Sequence, residues 1–164
     1  MQTRTQQTYL RSAVTVALVG VLASTALAQS GNPNIGTWKA NIAKSTFTPA
    51  TATTSSSTKI EAAGAGIKAT IDSVPATGAA RHWTFTANYD GKDSPITGNS
   101  QYGDSVALTR VDANTTRSVY KKGGTVMATQ TTVVSGDGKT RTVTTTGKNV
   151  LGQALNTVQL FDRQ

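Results

Sequence analysis

No cysteine occurs anywhere in the 164-residue sequence, which excludes a disulfide framework, a thiolate metal site and lipid attachment through cysteine. Histidine is nearly as scarce. His82 is the only one, so a hydrolytic triad has a single candidate base, and that base sits mid-strand among threonines, where an ordinary barrel or surface histidine is expected. Aromatics make up 5% of the chain and acids number 8 against 16 basic residues. No window carries a sustained 3.6-residue apolar period, which argues against a helical domain. The longest apolar run, Ala13 to Leu22 with small residues after it, is short of the roughly 20 residues that cross a bilayer.

That run belongs to a different pattern. Arg4 and Arg11, with no acid nearby, precede AVTVALVGVLASTALA and the small-x-small site Ala26-Leu27-Ala28, the signature of a secretory signal cleaved after Ala28. The expected organisation is therefore a removed signal peptide over 1–28, a leader over 29–35 and one domain over 36–164. The protein is expected to be exported, periplasmic or secreted, with no transmembrane segment in the mature chain. Removing Arg4 and Arg11 from the 16 basic residues leaves a net charge of +6 against the 8 acids, so an anionic envelope surface is an expected partner. The basic residues are scattered and only Lys121-Lys122 are adjacent. That distribution reads as a solvated surface and not as a specific nucleic-acid footprint.

From Gly36 onward the chain is a series of short Thr- and Val-rich runs separated by turn residues. This predicts an all-β domain. Strands are expected near 36–42, 56–63, 66–74, 80–89, 104–112, 115–121, 124–135, 139–147 and 154–163. Gly64-Ala65-Gly66, Asp112-Ala113-Asn114, Gly123-Gly124 and Gly136-Asp137-Gly138 supply the residues that tight hairpins require. Successive hairpins give an antiparallel up-and-down meander, and such a sheet hides its edges by closing into a barrel, here of about eight to ten strands. In RHWTFTANY, Trp83, Phe85, Ala87 and Tyr89 share one face. In TVMATQTTVV threonine occupies both faces, so the interior is expected to be partly polar. Residues 41–54, with Pro49, and 90–103, with Pro95, are expected to interrupt the meander, the second as the longest loop.

The opening GTWKANIAKSTF, Gly36 to Phe47, followed by a hairpin meander, resembles the calycins, the superfamily of lipocalins and fatty-acid-binding proteins. It is similar more narrowly to a group of small exported bacterial proteins of unassigned function that begin GTWKxNxxKSxF. The resemblance implies a lipocalin-like barrel in which Gly36 and Trp38 close one end and Arg163, in TVQLFDRQ, packs on the tryptophan through a cation–π contact. Fatty-acid-binding proteins grip a carboxylate with an Arg-x-Tyr pattern in the last strand. The matching places here are Gln159 and Phe161, and the two-helix lid of those proteins is replaced by Pro49 and threonines. Both departures argue against a carrier of that type.

Catalytic and cofactor motifs do not emerge. GNSQYG at 98–103 lacks the G-x-S-x-G spacing. SGDGKT at 135–140 has Val133 where a phosphate loop needs glycine and joins two strands. Asp90, Asp93 and Asp104 are the one place for a weak calcium site, without the ligand alternation of a calcium loop. The expectation is a non-enzymatic protein without cofactor or metal. It would bind a small apolar or amphipathic ligand within the barrel, through Trp83, Phe85 and Tyr89, with Tyr120, Met127 and Phe161 nearby. The alternative is an envelope-associated interaction module whose barrel holds nothing.

Overall fold

The structure, a computed structural model, describes residues 31–48 and 52–164; the signal expected over 1–28 lies outside them, as does Pro49. The described residues form ten strands: β1 (Gly36–Thr46), β2 (Thr53–Ala63), β3 (Gly66–Pro75), β4 (Arg81–Asn88), β5 (Asp90–Gly98), β6 (Ser105–Arg110), β7 (Thr115–Lys122), β8 (Thr125–Val134), β9 (Thr140–Lys148) and β10 (Ala154–Arg163). Each pairs antiparallel with its neighbours in sequence, and β1 pairs with β10 to close the barrel. No helix among the described residues is long and apolar enough to cross a membrane.

The turns do what their residues allow. At the β8–β9 hairpin, the Ser135 amide donates to the Thr140 carbonyl, the Thr140 amide donates to Ser135 Oγ, and the Asp137 carboxylate accepts from Ser135 Oγ and the Lys139 amide. Those bonds hold the Asp137 carboxyl below its usual range. At the β6–β7 hairpin, Asp112 Oδ1 accepts from the amides of Asn114 and Thr115 at 2.8 and 2.7 Å. Side chains that bond their own turn fix where each strand reverses, and therefore which residues face inward.

Two segments depart from the sequence expectation. The stretch read as the longest loop contains β5, which pairs with β4 at Phe85↔Ile96, Thr84↔Thr97 and Trp83↔Gly98, and with β6 from Asp90↔Thr109 to Pro95↔Ser105. Pro95 is tolerated for a geometric reason. The Ile96 amide bonds toward Asp104 on the β6 side, so alternation aims the missing donor of Pro95 toward β4, where pairing has not yet begun. Strand β1 also runs beyond its expected end, to Thr46. Between Asn41↔Leu160 and Thr46↔Val158 it bulges, and Ser45 Oγ bridges the gap by donating to the Asn41 carbonyl and accepting from the Leu160 amide.

One end of the barrel is plugged. Trp38 is fully buried and donates through Nε1 to the Asn34 carbonyl at 2.9 Å. The Arg163 guanidinium lies 4.2 Å from the Trp38 ring centroid and bonds the carbonyls of Gly138, Ile35 and Pro33. Gly36 has φ +141°, and a Cβ there would meet Arg163 Nη1, so glycine is the residue that lets the guanidinium cross the strand. The described part of the presumed leader is thus structural. Asn32 and Asn34 are buried, and Asn32 Nδ2 donates to the Tyr89 hydroxyl.

Candidate functional site

The interior is divided by chemistry. Strands β3, β4 and β6 direct Ile67, Ala69, Ile71, Trp83, Phe85 and Leu108 inward, while β2, β7 and β8 bring Ser56, Thr58, Thr116, Ser118, Gln130 and Thr132 to the same space. Period-two alternation produces both walls, because on β7 and β8 the inward positions are themselves threonine, serine and glutamine. Between the walls lies a cavity of about 80 Å³, room for roughly five to eight water-sized spheres.

At the plugged end the cavity meets Arg141 on β9. This side chain is 5% exposed, stacks within 4.6 Å of the Phe161 ring centroid and 5.1 Å of the Trp38 centroid, and donates from Nη1 to Asn34 Oδ1 at 3.0 Å. Its Nε has no hydrogen-bond partner. None of the eight acids of the chain is buried, so the guanidinium has no carboxylate inside the barrel. Burial pulls its pKa down, to about 9, which leaves it charged at neutral pH. The sequence reading, which assigned the basic residues to a solvated surface, is corrected at this position: Arg141 faces inward with Val143 and Thr145, its alternate neighbours on β9.

Toward the other end the loop after β5 folds over the cavity. Tyr102 packs edge-on against Trp83, centroids 6.0 Å apart, and tilted against Tyr120 at 5.0 Å. Tyr120 donates to Gln130 Oε1 at 3.1 Å. Desolvation raises the pKa of both phenols, so they remain neutral donors. Trp83 Nε1 and Ser73 Oγ, both buried and both on the cavity wall, also lack hydrogen-bond partners.

Of the residues singled out from sequence, Trp83, Phe85, Tyr120 and Phe161 line this cavity. Tyr89 and Met127 do not. Tyr89 occupies the bend after β4, beyond the alternation of Trp83 and Phe85, and its ring lies 4.7 Å from the Arg110 guanidinium. Met127 falls at a bulge in β8, where Tyr120↔Ala128 is followed by Lys121↔Val126, so it loses the inward position that Ala128 takes. Gln159 joins Phe161 on the wall. Sequence reasoning expected a partly polar interior but missed Arg141, Tyr102 and Gln130 and did not say which hydroxyls face inward.

The remaining motifs resolve into separate roles. His82 is on the outer surface, its Nδ1 2.7 Å from Asp72 Oδ1 across the β3–β4 pair. Asp93 is bound by Lys121 Nζ at 2.8 Å, Asp104 accepts from the Gly123 amide, and Asp90 caps Lys92. Those three acids are each engaged elsewhere, and no cluster of three or more potential ligands of a metal occurs among the described residues. The SGDGKT segment is the β8–β9 turn. The chain matches no protein-family model, no curated protein and no solved structure with which it was compared.

Proposed function

We propose that this chain is an exported, lipocalin-like barrel that binds a small amphipathic ligand non-covalently in its interior. The observation that carries this reading is the mixed cavity: apolar side chains from β3, β4 and β6 flanked by hydroxylated ones from β2 and β7, with three buried polar atoms, on Ser73, Trp83 and Arg141, left without partners in the protein. Unfilled volume forfeits packing, and donors with no acceptor in the protein must each immobilise a water. A bound molecule with an apolar body and polar head would relieve both costs. The volume favours ligands well below the length of a membrane lipid tail.

Thermal denaturation in the presence of small amphipaths tests the reading. A ligand held at about a hundred times its Kd adds about 2.7 kcal/mol to stability, a rise in Tm of roughly 5–15 °C for a domain of this size. Replacing Ser118 by leucine, on the cavity wall and 7% exposed, fills the same space from the protein side. Ser118→Leu is expected to fold and to lose the ligand-induced shift. A shift of equal size in wild type and Ser118→Leu would move the binding site out of the barrel.

A further inference from the structure

The two arginines at the plugged end are not equivalent. Arg163 makes every contact the closure needs: it covers Trp38 and ties the β8–β9 turn to the segment before β1. Arg141 adds one bond to Asn34 and leaves Nε unpartnered, on the wall of the cavity. Packing on Trp38 and Phe161 would be served by an uncharged side chain, without the desolvation that a buried cation incurs when no anion accompanies it. The guanidinium is a planar set of donors suited to a planar anion. Trp83 Nε1, toward the other end of the same cavity, is a second N–H on its wall without an acceptor. Nothing in the chain supplies the anion, because all eight acids lie outside the core.

Resting on the ligand-binding reading above, we propose that the interior ligand is a small organic acid whose carboxylate is received by Arg141, with its apolar body against Ile71, Trp83, Phe85 and Leu108. Arg141 stands on β9, whereas the last-strand places Gln159 and Phe161 offer no cation. The cavity of about 80 Å³ admits a body of fewer than about ten non-hydrogen atoms, so the acid is short-chained.

The test compares hexanoate with hexan-1-ol, equal in chain length and different in charge, by calorimetric titration of the protein purified after expression of the full-length chain. Hexanoate is expected to bind at least about tenfold more tightly than the alcohol, the margin of a charge-assisted over a neutral hydrogen bond. In Arg141→Met that preference collapses toward one while the alcohol still binds, and Arg141→Lys retains part of it. Equal binding of acid and alcohol by wild type overturns the anion proposal and leaves the ligand-binding reading standing. Binding of neither removes that reading and the proposal with it. If Arg141→Met does not fold, the wild-type ratio and Arg141→Lys decide the matter.

Discussion

Arg141 and Arg163 sit on neighbouring strands and both stack on Trp38, yet their removal is expected to change stability by different amounts. Arg163 donates to three backbone carbonyls; Arg163→Ala leaves them unpaired around a buried tryptophan and should cost about 2–4 kcal/mol. Arg141 is a desolvated charge without a counter-ion, so Arg141→Met gives up one hydrogen bond to Asn34 and removes the desolvation of the cation, and is expected to change stability by less than about 1 kcal/mol. Urea unfolding of Arg163→Ala and Arg141→Met checks the contrast. Comparable losses would make Arg141 a structural residue. Gly36, Trp38 and Arg163 at the plugged end were legible through the resemblance that the GTWK opening carries, and not through periodicity or spacing. Arg141 was not, because one arginine in a threonine-rich strand gives no parity signal: both of its flanks, Thr140 and Thr142, are polar.

Among the elements, β5 is the least secured. It is exposed along most of its length, meets β4 at three register pairs, and carries Pro95 and Gly98. Gly98 has φ +103°, and a Cβ there would strike the His82 carbonyl and approach Trp83 Cα at 2.9 Å. Gly98→Ala is therefore expected to destabilise the barrel by more than about 1 kcal/mol, opposite in sign to the effect of alanine at a glycine of ordinary φ. Hydrogen exchange followed by mass spectrometry should find β5 opening before β7–β10 in wild type. Protection of β5 equal to that of β9 would contradict this. The same features concealed β5 in the sequence: its segment is polar and bounded by glycines, and its only apolar inward residue is Ile96, so neither alternation nor composition marked a strand. The hairpins from β6 to β9 were legible because Asp112, Gly123-Gly124 and Asp137-Gly138 encode reversal locally, without help from tertiary contacts.

At the scale of the molecule, closure of the meander turns ten weak amphipathic strands into a sheet without free edges, and the division of its interior follows from which strands carry threonine inward. That division was only partly legible. Trp83 and Phe85 announced the apolar wall through strict alternation, whereas threonine on both faces of β8 left the inward set undetermined until the Tyr120↔Ala128 and Thr116↔Thr132 pairings fixed it. A barrel so arranged, exported as proposed above, is expected to carry a bound molecule when isolated. Native mass spectrometry of the protein, expressed as the full-length chain and purified from periplasm without refolding, tests this most directly when followed by solvent extraction. The account predicts a discrete adduct of roughly 150 Da or less, the size of an acid with fewer than about ten non-hydrogen atoms, recovered on extraction as an organic acid. An unliganded mass that stays unshifted by short-chain acids, alcohols and longer lipids would contradict it and transfer the function to the basic outer surface.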